Sequence, residues 1–504
     1  MQAHHFHPSH AAGAALLALA TLTISCHQID EPTAPPVQGA ESGVLPTVSS
    51  VVPDSSERGV TLDITVNGSG FDQGSVVGLE RQGVPAAGIT TNSTAFVTSR
   101  KLIANITITV DADTGKYDVA VTTSRGRKGV GIEMFAVEYQ ISELGILGGT
   151  WSRAHAINDK GEVVGASCTR DCLSTAFYWS EATGQVDLGG LPGYTRSAAY
   201  AITERGQVFG AVQCWAGDAG CGGVFKQALV RWDRVGGSWT IARLDGCSVA
   251  RPLADDSEKF LINNNDQCVR ATSTGSLLVQ TIAGASVLSE VSLPSLYADG
   301  YDMANAINDA AMVAGASAAV AERLSAESAR LTPPQPVVWY RQTSGTWVVL
   351  RLGIPSTDLR AWATDIAEPD AAGKVRVAGY SEYWSGTRRL HAIRAIRWTL
   401  QPDGSGGWQV ASTQVLESPR RRGSAVHTWA KALNDAGDIV GTAGAFLDTG
   451  SPVKWPAGSG IAMLPVGNGA VQGHAMDINN QGWIVGAIWD NSNNCDRAAI
   501  WQLW

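Results

Sequence analysis

The chain has 504 residues, a length that suggests two to four domains. Its formal net charge of −9 argues against nonspecific nucleic-acid binding, because such binding relies on a positive field. Charged residues make up only 16% of the chain, whereas glycine occurs 56 times and tryptophan 17 times. This composition favours an all-β protein with many tight turns.

The N-terminal segment predicts export. The apolar run from Ala11 to Ile24 is shorter than the roughly 20 residues of a membrane-spanning helix and fits the hydrophobic region of a signal peptide. It ends in Leu22-Thr23-Ile24-Ser25-Cys26, which resembles a bacterial lipobox. The resemblance implies a signal peptide over residues 1–25 and lipidation of Cys26, with ordinary secretion by cleavage nearby as the alternative.

The segment that follows predicts a membrane tether. Residues 26–45 are rich in proline and small polar residues and show no periodicity, which is typical of a disordered, extended linker. Cys26 is followed by His27 and Gln28 rather than by Asp, which favours the bacterial outer membrane or cell surface over the inner membrane. We therefore expect membrane contact through a lipid anchor.

The cysteines also favour an exported protein. Six of the seven that follow Cys26 form three close pairs in sequence, which suits disulfides in an oxidising compartment. No zinc-ligand pattern is present, so neither a metal nor another cofactor is expected. Cys495 remains as a free thiol, unless the pairing differs. The predicted pairs are Cys168/Cys172, Cys214/Cys221 and Cys247/Cys268.

Residues 46–138 predict a small β-domain. Val60 to Val66, Ile106 to Val110 and Tyr117 to Val121 alternate in polarity with a period of two, as half-buried strands do. The segments Pro46 to Pro53, Ile64 to Phe71 and Gly115 to Val119 resemble the IPT/TIG family. That resemblance implies an immunoglobulin-like sandwich that serves as a spacer or a binding module.

The rest of the chain is repetitive. The phrase Ala154 to Gly165 returns at Ala199 to Gly210, and the interval from Gly210 to Gly315 is about twice the others. A degenerate copy near Ile262 to Asp266 fills this interval, which makes seven repeats. A strand ending in tryptophan follows each of the six clear copies. No such tryptophan follows the degenerate copy, so both markers are missing from the same repeat. The further copies begin near Ala304, Ala363, Ala430 and Ala475, and the tryptophans are Trp179, Trp232, Trp339, Trp398, Trp455 and Trp501.

Each repeat has four candidate strands in about 50 residues, which is typical of a propeller blade. The last repeat lacks a fourth strand, and Ile141 to Gly145 supplies one ahead of the first repeat. We therefore predict a seven-bladed β-propeller over residues 141–504, closed by this N-terminal strand. The phrases at Gly145 to Gly149, Leu188 to Gly193 and Thr175 to Trp179 resemble the extracellular HAF-repeat family, which implies this fold and location but no defined ligand.

No catalytic motif stands out. The glycine-rich stretch Leu188 to Gly193 is not followed by the Lys-Ser/Thr of a phosphate loop, and no Gly-x-Ser-x-Gly elbow precedes a helix. His155 and His474 occupy similar places in their repeats, which favours a structural role over a ring of axial ligands. The acids in the repeat turns are expected to cap their own turns. They are Asp159, Asp309 and Asp435.

Aromatic residues outside the repeat pattern are the best candidates for ligand contact, because exposed rings on a propeller face suit sugar stacking or a protein partner. They are Trp151, Tyr194, Trp215, Tyr301, Trp362, Trp384 and Trp429.

The leading hypothesis is a monomeric, non-enzymatic binding or adhesion protein of the cell envelope, presenting a propeller face to polysaccharide or protein. The alternative is a secreted propeller enzyme, a lyase or glycosidase acting on polysaccharide. A purely architectural envelope protein is the third reading. Two carboxylates, or a histidine and a carboxylate, converging on one axial pocket would favour catalysis.

Overall fold

Residues 45–502 account for the described structure, a computed structural model. The described part has gaps at residues 110–111, 245, 248, 251–258, 273–276, 285, 324–328, 386–389, 420–425, 446–449, 459 and 468–471. All its regular structure is β-strand, and no helix in it is long and apolar enough to cross a membrane. The predicted signal peptide, Cys26 and nearly all of the tether lie outside these residues.

Two sheets over residues 47–137 share one hydrophobic core. In the first sheet, Leu102, Ala104, Ile106 and Ile108 alternate with less buried residues and point into that core, as the sequence alternation predicts. The strands of the first sheet, in spatial order, are β1 (Thr47–Val52), β3 (Thr61–Ser69), β7 (Lys101–Ile108) and β6 (Ile89–Thr98). Those of the second are β2 (Ser55–Ser56), β9 (Lys128–Val137), β8 (Gly115–Thr122), β4 (Val76–Arg81) and β5 (Val84–Pro85).

Seven antiparallel sheets, here called repeat sheets 1 to 7, follow one another along the chain. Sheet 1 holds β11 (Ser152–Ile157), β12 (Val163–Cys168), β13 (Ser174–Ser180) and β14 (Gly184–Asp187). Sheet 2 holds β15 (Arg196–Ile202), β16 (Val208–Cys214), β17 (Lys226–Val235) and β18 (Ser238–Arg243). Sheet 3 holds β21 (Gln267–Ala271), β22 (Leu277–Ala283) and β23 (Ser286–Ser292), and a separate pair, β19 (Val249–Ala250) and β20 (Lys259–Phe260), precedes it.

The later sheets repeat this order. Sheet 4 holds β24 (Gly300–Ile307), β25 (Val313–Arg323), β27 (Gln335–Arg341) and β28 (Trp347–Arg351), with β26 (Ala329–Leu331) paired to β25. Sheet 5 holds β29 (Asp358–Ile366), β30 (Val375–Ser385), β31 (Leu390–Pro402) and β32 (Trp408–Val415). Sheet 6 holds β33 (His427–Leu433), β34 (Ile439–Gly444), β35 (Ser451–Trp455) and β36 (Ala462–Met463).

Sheet 7 combines strands from the two ends of the repeat region. Its strands are β37 (Gly473–Ile478), β38 (Ile484–Asp490), β39 (Cys495–Gln502) and, at the edge, β10 (Gln140–Glu143). The register places Gln140 opposite Gln502 and Glu143 opposite Ala499. The backbone N–H of Leu144 extends the ladder by donating to the carbonyl of Ala498 at 2.8 Å. The strand expected ahead of the first repeat therefore pairs with the last one.

The first strand of each repeat is here called the innermost strand. The turn that follows it joins its sheet to the next. In the first turn, Asn158 Oδ1 accepts from the N–H groups of Lys160 and Glu162, and its amide donates to the carbonyl of Thr203 in sheet 2. Equivalent amides bridge sheets 3 to 4, 4 to 5, 6 to 7 and 7 to 1. These bonds are Asn263 to Asn308 O, Asn308 to Ala367 O, Asn434 to Asn479 O and Asn479 to Asn158 O.

A second series of hydrogen bonds links all seven turns and returns to its start. The second residue of each turn donates its backbone N–H to the side chain of the corresponding residue in the next sheet. The series runs Asp159, Glu204, Asn264, Asp309, Glu368, Asp435, Asn480 and back to Asp159. The expectation that Asp159, Asp309 and Asp435 cap their own turns is therefore wrong for these contacts. The asparagine caps its own turn and leaves the next side chain to bond to the neighbouring sheet.

The repeat glycine and tryptophan have distinct packing causes. A Cβ at Gly165 would lie 2.0 Å from the carbonyl oxygen of Arg153, so only glycine lets the innermost strand approach. The indole N–H of Trp398 donates at 3.0 Å to the carbonyl of Gly353, which follows the last strand of sheet 4. Trp339, Trp455 and Trp501 make the same kind of bond to the preceding sheet, and Trp179 is partly exposed.

Candidate functional site

A β-bulge interrupts six of the innermost strands at one equivalent position, in β11, β15, β24, β29, β33 and β37. The polar residues at three of these bulges donate to a backbone carbonyl of the next sheet, and Lys431 at a fourth donates to the sulfur of Met476 at 3.6 Å. His155 Nδ1 donates to the carbonyl of Ala199 at 2.8 Å, Asn305 to Ala363 at 2.7 Å and Thr364 to Ala430 at 3.0 Å. The other bulged residues are Tyr200, Lys431 and Met476.

The two repeat histidines are not equivalent in the structure. His155 is the bulged residue itself, whereas His474 lies two positions before the bulged Met476 of its strand, opposite Ala487. His474 Nδ1 lies 3.3 Å from the hydroxyl of Thr442. Within the described ranges no group of three or more His, Cys, Asp or Glu side chains could hold a metal ion. The hypothesis that the repeat histidines form a ring of axial ligands gains no support from these positions.

Two aspartates follow the bulge where four of the other repeats have alanine. The Asp477 carboxylate accepts hydrogen bonds from the N–H of Ile157 in sheet 1 and from the N–H of the adjacent Ile478, both at 2.9 Å. Asp365 accepts the N–H of Leu433 in sheet 6 at 2.8 Å. Each carboxylate therefore ties the backbone of the next sheet to its own.

Lys259, in strand β20 ahead of sheet 3, reaches the region of these two aspartates. Lys259 Nζ donates to the carbonyls of Thr364 at 3.1 Å and Lys431 at 3.0 Å, which belong to sheets 5 and 6. Its positive charge acts on both Asp365 and Asp477. We call Lys259, Asp365 and Asp477 the inner cluster. The sequence carried a signal for the two acids, since both replace alanine in the Ala-Ile-Asn phrase of the repeat.

Burial dominates the ionisation of the inner cluster. The pKa of Asp477 is raised to about 7, chiefly by burial and also by the negative charge of Asp365, against the opposing effects of the Ile157 N–H and Lys259. Burial likewise raises the pKa of Asp365, against the opposing charge of Lys259 and the N–H of Leu433. Asp477 therefore carries a proton over much of the range below neutral pH.

This pKa predicts a pH-dependent stability. Because folded Asp477 keeps its proton up to about pH 7 while the unfolded residue loses it near 3.8, stability should fall as pH rises between these values. This rise in the pKa of Asp477 corresponds to a change of at most about 4 kcal/mol in the free energy of unfolding. We expect Asp477→Asn to flatten the decline in melting temperature between pH 4.5 and 8.

The control for this measurement is Asp403→Asn. Backbone N–H groups of Ser405 and Gly407 lower the pKa of Asp403, so its replacement should leave the decline in place. Melting temperatures are measured by circular dichroism in buffers of matched ionic strength. Parallel curves for the parent and Asp477→Asn would contradict the assignment.

The aromatic candidates fall into different environments. Trp362 and Trp429 are only 4% and 5% exposed and pack with Tyr380 in a small core. Their burial corrects the expectation that they face a ligand, because the innermost strands turn these rings between sheets. Trp151 and Tyr194 are partly exposed, Tyr301 lies at the surface, and the side chain of Trp384 falls outside the described part of the chain.

Trp215 belongs to the most exposed apolar group among these candidates. It is 53% exposed, and its ring meets that of Phe225 edge to face at 6.0 Å between centroids. Phe225 is also 53% exposed and Val224 58%. We call these three residues the Trp215 surface. Sequence reasoning missed Val224 and Phe225, although only two glycines separate them from the Cys214 to Cys221 loop.

The loop beneath this surface is held in place at several points. A disulfide joins Cys214 to Cys221, and a second one joins Cys247, ahead of sheet 3, to Cys268 in β21 of that sheet. Asp218 accepts two hydrogen bonds from Arg196, each at 2.8 Å, and one from Thr195 at 2.6 Å. The bonds from Arg196, chiefly, hold the pKa of Asp218 well below its usual range. A fixed loop that presents apolar rings can bind a flat ligand face at low entropic cost.

Comparisons with known proteins identify no family. No family model matches the chain, and no curated protein does. Among solved structures, AofleA from Arthrobotrys oligospora matches at 12% identity and a TM-score of 0.31, covering 66% of this chain and 92% of that one. The N-terminal domain of Nup159 matches at 11% identity and a TM-score of 0.32, covering 72% of this chain and 95% of that one.

Proposed function

We propose that residues 140–502 form a seven-bladed β-propeller closed by β10, and that residues 46–138 form an immunoglobulin-like sandwich. The seven successive sheets, the pairing of β10 with β39 and the series of turn hydrogen bonds that returns to Asp159 support the first part. The two sheets around one core support the second. The pairing of β10 with β39 covers a strand edge that would otherwise be open to another chain.

We propose that the protein binds polysaccharide without turning it over, through the Trp215 surface, on the outside of a bacterial cell. The observation that carries this is the exposure of Trp215 and Phe225 on a loop braced by a disulfide and by Asp218. Exposed indole faces stack on the apolar faces of sugar rings. The hydroxyl groups at the rim of the sugar then need hydrogen-bond donors beside the indole. Arg196, 5.9 Å from the Trp215 ring, supplies such donors beside it.

The envelope address is part of the same proposal. The signal peptide over residues 1–25 and a lipid on Cys26 would anchor the protein, and the first domain would hold the propeller away from the membrane. The protein would act as a monomer. A surface protein as the ligand is the other outcome that the experiment below distinguishes.

The test is a glycan array followed by a pull-down, using residues 44–504. We expect Trp215→Ala to weaken glycan binding at least tenfold, equivalent to about 1.4 kcal/mol, because it removes the stacking face. The melting temperature should stay unchanged, since the side chain is exposed. Tyr301→Ala, at another exposed aromatic candidate, is the matched control. Equal binding by the parent and Trp215→Ala, or capture of a protein instead of a glycan, would overturn the proposal.

A second candidate function is a polysaccharide lyase or glycosidase. The observation that favours it is the pair Asp365 and Asp477, since a pKa of about 7 suits a general acid. The hydrogen bonds that both carboxylates accept from backbone N–H groups weigh against it. Turnover of a bound glycan by the parent and its loss in Asp477→Asn would establish the enzyme and displace the binding proposal.

A further inference from the structure

Three cysteines meet around one residue where the first and last repeat sheets adjoin. Cys168 ends β12 of sheet 1, Cys172 follows in the next turn, and Cys495 begins β39 of sheet 7. All three are free thiols in this structure. We call them the thiol cluster. The predicted disulfide between Cys168 and Cys172 is not formed here and stays a prediction.

Thr150 touches every member of the cluster. Its backbone N–H donates to Cys168 Sγ at 2.8 Å, and its carbonyl accepts from Cys495 Sγ at 2.7 Å. Its hydroxyl lies 3.4 Å from Cys172 Sγ and 3.6 Å from Cys168 Sγ. The sulfurs of Cys168 and Cys172 are themselves 3.0 Å apart. One residue thus holds the two thiols of sheet 1 beside the thiol of sheet 7.

The chain is shaped to fit these sulfurs. A Cβ at Gly149 would lie 2.2 Å from Cys168 Sγ, so a glycine is needed where the chain passes this sulfur. The N–H of Trp151 adds a second backbone donor to Cys168 at 3.4 Å. Arg153 and Asp496 pair at 2.5 Å between the same two sheets. The chain therefore fits closely around Cys168, and an ion pair joins the two sheets beside the cluster.

We propose that the thiol cluster is a thiol–disulfide exchange site, in which Cys168 forms a disulfide alternately with Cys172 and with Cys495. The second pairing would join sheets 1 and 7 covalently. The buried Cys168 is the shared partner because it contacts Cys172 directly and shares Thr150 with Cys495.

The exchange balances with a low-molecular-weight disulfide, such as glutathione disulfide, as oxidant. The exposed Cys172 thiolate attacks this disulfide and releases one glutathione. Cys168 then attacks the Cys172 sulfur and releases the second glutathione, which forms the Cys168–Cys172 bond. Attack by the Cys495 thiolate on Cys168 transfers the bond to Cys168–Cys495, and Cys172 leaves as the thiolate that takes up the displaced proton.

The ionisation of the cluster agrees with these roles. Burial opposes the charge on Cys168, but the hydrogen bonds from Cys172 and from the N–H groups of Trp151 and Thr150 outweigh it and lower the pKa of Cys168. Burial raises the pKa of Cys495, against the nearby positive charge of Arg497. Cys168 is thus the more readily ionised of the two, as the shared partner should be.

The test maps disulfides in the full chain carrying Cys26→Ser, with Cys172→Ser and Cys495→Ser added singly. Each protein is incubated with glutathione disulfide, quenched in acid, alkylated after denaturation and digested for mass spectrometry. We expect both linkages of Cys168 in the parent, Cys168–Cys495 alone in Cys172→Ser, and Cys168–Cys172 alone in Cys495→Ser. The Cys214–Cys221 and Cys247–Cys268 bonds should not exchange with the cluster.

A second readout uses stability. Oxidised Cys172→Ser should melt several degrees above its reduced form, because the new bond closes a long loop between sheets 1 and 7. Cys172 is exposed, so its replacement should leave the reduced fold intact, and Cys172→Ala repeats the test with a different side chain. Cys495 recovered as an alkylated thiol or a glutathione adduct in both Cys172 variants would overturn the proposal, as would a Cys172–Cys495 bond in the parent.

Discussion

Deletion of residues 141–146 is expected to lower the melting temperature of the repeat region more than removal of the entire domain at residues 46–138. The deleted segment holds most of β10, which completes sheet 7 by pairing with β39. It also holds Leu144, which is buried with Phe177 of sheet 1 and Ile500 of sheet 7. The deletion therefore exposes the edge of a strand whose central residues are fully buried and uncouples two sheets at once.

The domain deletion has less effect because its core is separate. The buried cluster of that domain extends from Val51 to Val137 and contains no residue of the repeat sheets. Both deletions are compared with the parent by circular dichroism and calorimetry. Leu144→Ala is a milder variant with an expected loss of about 2–4 kcal/mol. Equal melting temperatures for the two deletions would show that β10 does not close the repeat region.

The repeats could be counted from the sequence because both markers have geometric causes. Glycine recurs where the bulged innermost strand brings a carbonyl to about 2 Å from any Cβ, as at Gly165 and Gly210. Tryptophan recurs where a ring fills the space toward the preceding sheet. Sheet 3 has Arg270 and Gln280 at these two registers, and the described residues of its innermost strand form a single bridge, between Ile262 and Cys268. The two markers disappear together because their cause does.

The contacts between sheets could not be predicted in this way. Alternation along a strand tells which residues leave its plane, but not which neighbouring sheet receives them. Asp159 therefore looked like a cap of its own turn, although it accepts the N–H of Asn480 from sheet 7. Trp362 and Trp429 looked like surface aromatics because they lie outside the repeat pattern, yet each lies between two sheets. The inner cluster joins residues far apart in the chain, which no local spacing could reveal.

The second large effect is expected at the repeat tryptophans. Trp398 is fully buried in the core between sheets 4 and 5, so Trp398→Ala should cost about 3–5 kcal/mol of stability through lost contacts and an unfilled cavity. Trp179→Ala is the comparison, because the same repeat position is partly exposed in sheet 1 and should cost less. Chemical denaturation with matched slopes measures both differences.

Substitution by phenylalanine separates packing from the hydrogen bond of the indole. The N–H of Trp398 donates to Gly353, whereas that of Trp232, equally buried in sheet 2, has no hydrogen-bond partner among the described residues. Trp398→Phe loses ring volume, one hydrogen bond and the partner of a buried carbonyl, whereas Trp232→Phe loses volume and removes an unsatisfied donor. We expect Trp398→Phe to cost about 1 kcal/mol more than Trp232→Phe. Equal costs would mean that the tryptophans stabilise the sheets through their volume alone and that the bond to the preceding sheet adds nothing.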